Sequence, residues 1–166
     1  VHKLQLQKTQ NHGFTLIEVV LVLAIGGTIF LLAFLAFRQV TVNRRDTQRR
    51  SDVVKMMAAL ETNYLDTSKY PDSSNVNIAA ADVCTDTTSA VANSFLKFLQ
   101  DHMCKNGEFL APSGVNYELY TWGNVTYKKD RIRYRRGVRC DNSAGTTSTY
   151  YIKLDLEKGT LCRDSG

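Results

Sequence analysis

Apolar residues fall into three regimes along this chain. From Phe14 to Phe37 they are nearly continuous, 24 residues in which Glu18 is the only charge. Further on they recur at steps of three and four: Val53, Met56 or Met57, Leu60 and Tyr64, with Asp52, Lys55, Glu61 and Asn63 between them. That is the period of one helix face. From about residue 115 they alternate, in VNYELYTW, RIRYRRGVRC and TYYIKLDLE, with the β-branched and aromatic bias of strands. A 24-residue helix rises about 36 Å, enough to cross a hydrocarbon layer of about 30 Å. No proline separates the first two regimes, so they predict a single rod from Phe14 to about residue 66, about 80 Å long at about 1.5 Å per residue. Pro71 biases Tyr70 away from helix, and Asp72 to Asn75 read as a turn. Val91, Phe95, Phe98 or Leu99 and Met103 predict a second, short helix within 88–103, capped by Thr88 or Ser89. Turns are expected at Ala111-Pro112-Ser113-Gly114, at Asn124, around Asp141 to Gly145, and at Glu157-Lys158-Gly159. The expected fold is α+β. A long N-terminal helix has a membrane-spanning lower half (14–37) and an amphipathic upper half (38–66). A head (67–166) carries an antiparallel sheet of three or four strands within 115–162, packed on the helix.

Charge adds a topological conflict. The chain has 21 basic and 16 acidic residues, net +5. Lys3 and Lys8 precede the apolar run, whereas Arg38, Arg44, Arg45, Arg49, Arg50 and Lys55 follow it. The positive-inside rule alone would place the C-terminal part in the cytoplasm. The cysteines argue the other way: Cys84, Cys104, Cys140 and Cys162 are an even set suited to disulfides, which form outside the cytoplasm. They lack the paired short spacings of a zinc site, and no metal is expected. Four cysteines allow three pairings. Each bridge closing a loop of about 20 residues contributes ~3 kcal/mol in the chain-entropy model.

Two basic clusters invite functional readings. The run from Arg38 to Lys55 sits beside the membrane segment, where it meets anionic headgroups or, in an assembly, Asp46 or Asp52 of a neighbour. The second, KKDRIRYRRGVR, sets Lys128, Lys129, Arg131, Arg133, Arg135, Arg136 and Arg139 against Asp130 alone. On a strand Arg131, Arg133 and Arg135 share one face, opposite Ile132 and Tyr134. This is either a solvated outer sheet face or a cationic stripe for DNA or an acidic surface polymer, binding phosphate without reading sequence. Tyr120, Trp122, Tyr127 and Tyr134 would add stacking in the second case. Nothing points to an enzyme. The histidines are His2, His12 and His102, and no phosphate loop or nucleophile motif is present. No cofactor is expected.

An ionised carboxylate within an apolar span needs a partner. A cut after Gly13 would create one, because the new amine of Phe14 lies four residues from Glu18. The stretch GFTLIE, with a short basic leader before it and an unbroken apolar run after it, resembles the processing site of type IV prepilins and pseudopilins. RRSDVVKMMAALETNYLDTSKYP (49–71) is similar to the helix end of many members of that family. The resemblance implies a leader of residues 1–13, removal by a prepilin peptidase, and methylation of the Phe14 amine. It implies that Glu18 guides assembly into a helical homopolymer, driven by separate platform and motor proteins. The subunit would wait in the cytoplasmic membrane with its head outside and end in an extracellular pilus. Adhesion, twitching motility and DNA uptake are the tasks implied; a pseudopilin of a secretion or competence machine is the alternative within the class. An anchored DNA- or polysaccharide-binding receptor that does not polymerise is the alternative outside it. Many members carry a proline in the membrane helix. Here Gly26 and Gly27 are the only helix weakeners, each costing about 1 kcal/mol relative to Ala, and they are candidates for local melting or for close helix packing. The resemblance also implies a bridge between Cys140 and Cys162 and, by remainder, one between Cys84 and Cys104. Some pseudopilins hold calcium near the C-terminus. Asp155, Asp164 and Ser165 supply fewer oxygens than the six or more such a site takes.

Overall fold

The structure is a computed structural model and describes residues 13–72, 81–120 and 130–165. Two compact units meet in sequence between Thr41 and Val42. In the first unit, helix α1 (Leu16–Thr67) begins, and every residue from Gly13 to Thr41 is exposed. The helix passes through Gly26 and Gly27 without a break, and a methyl group added at either would meet nothing within 4 Å.

In the second unit, α1 turns Val53, Met56 and Leu60 fully inward. The helix stops at Thr67. Ser68 takes the left-handed conformation (φ 57°) and its N–H closes on the Tyr64 carbonyl at 2.7 Å. The remaining elements are β1 (Ala81–Asp82), α2 (Thr87–Ala92), α3 (Ser94–His102), β2 (Glu118–Leu119), β3 (Arg131–Arg136), β4 (Tyr150–Asp155) and β5 (Thr160–Asp164). They confirm the α+β class: a long helix followed by a five-stranded, mostly antiparallel sheet in the order β1-β2-β3-β4-β5. Alternation along β3 and β4 places Ile132 opposite Leu154 and Tyr134 opposite Ile152, with Leu161 of β5 beyond Leu154. This face joins Val53, Met56 and Leu60 of α1 and Phe95, Leu96, Phe98 and Leu99 of α3 in one core. Phe95 stacks on Tyr134 with ring centroids 3.8 Å apart.

Three details differ from the sequence reading. Two helices stand in place of one over 88–103. Asn93, extended at φ −120° and ψ 109°, ends α2 and begins α3, its side chain accepting from the N–H groups of Phe95 and Leu96 at 3.1 and 3.0 Å. The cap of α2 is Asp86, which accepts from the Ser89 N–H and hydroxyl, both at 2.9 Å, rather than Thr88 or Ser89. The described sheet has five strands, not three or four. One of them, β1, lies before the helices, and the β2–β3 pair is parallel. Alternation reports which face a residue takes, not strand direction, so neither point was legible. The turn expected at Asn124 lies outside the described residues.

Candidate functional site: the processing segment and the charged joints of the head

Thr15, Leu16, Ile17 and Glu18 form a capping box. The Glu18 carboxylate accepts from the Thr15 N–H and hydroxyl, both at 2.8 Å, and the Thr15 hydroxyl accepts from the Glu18 N–H at 3.4 Å. The reciprocal pair satisfies donors that the first turn leaves open. The sequence reading looked for a charge partner for Glu18 and missed this one, although T-x-x-E before an apolar run is its signature. Gly13 and Phe14 precede the helix, and Phe14 is 88 % exposed. The most apolar stretch of α1 has a mean hydropathy of 2.8 and is wholly unburied.

Both disulfides lie in the second unit. Cys84 joins Cys104 with Cα atoms 5.6 Å apart, and Cys140 joins Cys162 at 5.9 Å. A straight helix over 88–103 would hold Cys84 away from Cys104; the break at Asn93 lets the chain fold back. Asp82 fixes the approach to Cys84, accepting from the N–H groups of Cys84 and Thr85 and from the Asn116 amide. Burial opposes ionisation of Asp82, but these bonds outweigh it and hold its carboxyl below the usual value.

Of the second basic cluster, Lys128 and Lys129 lie outside the described residues, as do Trp122 and Tyr127. The alternation holds on β3, with Ile132 and Tyr134 in the core, but the arginine face is not uniformly solvated. Arg131 is buried and its Nε donates to Glu118 at 2.9 Å. Arg133 lies over the Tyr120 ring at 4.4 Å. Arg136 pairs with Asp72 at 3.2 Å and donates to the Tyr70 carbonyl. Arg135 and Arg139 are exposed. Asp155, Asp164 and Ser165 are separately engaged, by the Thr160 hydroxyl, the Cys140 N–H and the Tyr150 N–H. No group of three or more metal-ligating side chains occurs among the described residues.

The first basic cluster contains the least expected feature. Arg49 is 1 % exposed. Its guanidinium donates to Asp130 at 2.8 and 2.9 Å, to Asp46 at 3.0 Å and to Glu157 at 3.4 Å. Arg45 approaches Glu157 at 3.8 Å. Burial lowers the affinity of Arg49 for its proton, and the surrounding carboxylates more than restore it. Three residues on, Asp52 accepts from the buried Tyr117 hydroxyl at 3.0 Å and pairs with Lys55. Asp46 and Asp52 are therefore both engaged within their own chain. One signal was available: 49, 53, 56 and 60 fall on one helical face, so Arg49 extends the core stripe by a turn.

These features define a class first: a chain with an exposed apolar helix long enough to anchor in a membrane, and a disulfide-bridged α+β head. Residues 8–34 match the prokaryotic N-terminal methylation motif, the signal motif of type IV pilins and pseudopilins. That motif supports a type IV pilin-like or pseudopilin protein, and it implies prepilin peptidase processing and assembly into a filament. The match covers none of the head. No curated protein and no solved structure matches the chain.

Proposed function

We propose that this chain is a structural subunit of a type IV pilus-like filament. It enters the cytoplasmic membrane with its head outside, is cut after Gly13, is methylated on the Phe14 amine, and polymerises through residues 14–37. The observation that carries the reading is the methylation motif lying on a helix whose apolar side chains are exposed on every side. A helix apolar all round requires lipid or neighbouring helices as its surroundings. Glu18 has two roles in this scheme. It caps its own helix through Thr15, and its charge answers a Phe14 amine within the bundle. Gly26 and Gly27 are the place where the helix would melt on assembly. Peptidase, platform and motor are separate proteins. Adhesion, twitching motility and DNA uptake are the tasks such a filament would perform. The receptor alternative is weakened by the commitment of Arg131 and Arg136 to carboxylates.

The direct test is to shear surface filaments from the source cells and determine the N-terminus of this chain by mass spectrometry. N-methylated Phe14 is expected; an intact leader in the filaments, or absence of the chain from them, refutes the proposal. Abundance in the sheared fraction also separates a pilus subunit from a pseudopilin of a short machine. Glu18→Gln divides the two roles of Glu18, because glutamine keeps the capping box and removes the charge. Normal membrane levels with at least a tenfold loss from filaments are expected. Assembly at the wild-type level would leave Glu18 with capping alone.

A further inference from the structure

Asn106 is the one asparagine of the chain followed by glycine. The pair forms the tip of a tight turn after α3. Lys105 and Glu108 face each other in an antiparallel bridge, and the Glu108 N–H donates to the Lys105 carbonyl at 3.1 Å. Asn106 and Gly107 both take the left-handed conformation, at φ 57° and 79°. A two-residue turn of type I′ requires that of both its central residues, which is why Asn-Gly is favoured there. All four residues are exposed. Among the described residues, neither the Asn106 side-chain amide nor the Gly107 N–H has a hydrogen-bond partner. A methyl group added at Gly107 would meet nothing within 4 Å, so no neighbour shields its nitrogen.

The other described asparagines are each held or shielded. Asn43 and Asn63 lie inside α1, where the N–H that follows each is bound in the helix ladder. Asn93 is 2 % exposed and its side chain caps α3. The Asn116 amide donates to Asp82 and accepts from the Phe109 N–H. Asn142 offers the sharpest comparison. It is exposed and left-handed too, at φ 66°, but the N–H of Ser143 after it donates to the Asp141 carboxylate at 2.8 Å.

We propose that Asn106 is a self-modification site, where the folded head converts its own turn to isoaspartate or aspartate. The Gly107 nitrogen gives its proton to water and bonds to Cγ of Asn106. The C–N bond of the side-chain amide breaks, and its nitrogen leaves as ammonia. The cyclic imide that remains is opened by water at either carbonyl carbon, which leaves one carboxylate. No oxidant, reductant or cofactor takes part. Attack from the next residue along the chain has the advantage of any intramolecular reaction whose groups are already close. The left-handed backbone must rotate for the nitrogen to reach Cγ. One backbone hydrogen bond closes the turn and its central residues are exposed, so this opening is local and cheap. Isoaspartate carries the main chain through Cβ, which a type I′ turn does not accommodate. Lys105 and Glu108 balance each other across the turn, so the new carboxylate makes the tip acidic. The inference needs only the folded head and stands independently of the filament reading.

The test is incubation of the purified full chain in detergent, with both disulfides intact, at neutral and mildly alkaline pH. Peptide mapping by mass spectrometry locates each exchange of amide for acid. Methyl transfer by an isoaspartyl methyltransferase reports the isomer. Conversion at Asn106 at least tenfold faster than at Asn142 is expected, rising with pH. Equal rates at the two positions overturn the proposal. So does an unchanged Asn106 in the folded chain over a period in which the reduced, urea-unfolded chain converts it. Asn106→Ser is the independent check, because serine has no amide to lose. It should remove most of the methyl-acceptor signal; an undiminished signal places the isomer elsewhere and overturns the assignment.

Discussion

Replacing Arg49 tests the joint between helix and sheet most severely. Arg49→Met keeps a long unbranched side chain at a site that is 1 % exposed, and removes every guanidinium contact. What remains is Asp130, 7 % exposed, with Asp46 and Glu157 nearby and Arg45 at 3.8 Å from Glu157. Removing one partner of a buried ion pair costs about 3–5 kcal/mol, because the other charge stays buried and uncompensated. A domain of this size is stabilised by about 5–15 kcal/mol in total, so the loss is a large fraction. At about 3–5 °C per kcal/mol, the melting temperature should fall by roughly 10–20 °C. The assay is urea and thermal unfolding of the full chain in detergent at neutral pH, followed by near-UV circular dichroism. Asp130→Asn supplies the second arm. Asp130 sits in the left-handed region at φ 66°, which asparagine also tolerates, so the backbone is preserved. Arg49→Met with Asp130→Asn should be less destabilising than the sum of the singles, by at least 1 kcal/mol. A cost below about 1 kcal/mol for Arg49→Met, or strict additivity, would refute a buried ionic joint.

Asn93→Ala removes an acceptor shared by the Phe95 and Leu96 N–H groups, and should cost about 1–2 kcal/mol in the same unfolding assay, with Asn93→Ser recovering most of it. Replacing Cys140 and Cys162 together by serine should cost ~3 kcal/mol, since the bridge closes a span of 22 residues; a change within 0.5 kcal/mol would show that the reduced chain holds its own loop. Alkaline titration reads the tyrosine cluster. Burial, and then Glu61, push the Tyr70 phenol from its ordinary 10.0 up to about 12, and burial chiefly raises Tyr117, Tyr134 and Tyr150 as well. Folded values above the unfolded ones mean that stability is intact below about pH 10. It falls between about 10 and 12, as the unfolded chain ionises first. Phenolate absorbance should therefore appear together with loss of near-UV dichroism; ionisation of all eight tyrosines near pH 10 in a folded head would contradict this.

Periodicity alone determined the long helix, its division into an apolar and an amphipathic half, and the core faces of β3 and β4. These patterns are local: side-chain direction follows backbone period, and burial of Val53, Met56 and Leu60, or of Ile132 and Tyr134, follows from it. The Glu18 capping box is equally local, set by four consecutive residues, Thr15 to Glu18. Tertiary structure decided the rest. The parallel β2–β3 pair and the two-residue β1 depend on partners distant in sequence, which alternation does not encode. The fate of each arginine depended on which carboxylate the fold brought within about 3.5 Å. Arg49 meets Asp130 across 81 residues and Glu157 across 108, whereas Arg131 meets Glu118 across the parallel ladder. A charge is written in the sequence, but whether it faces water or a buried partner is a property of the assembled layers, because desolvation and pairing act through space rather than along the chain.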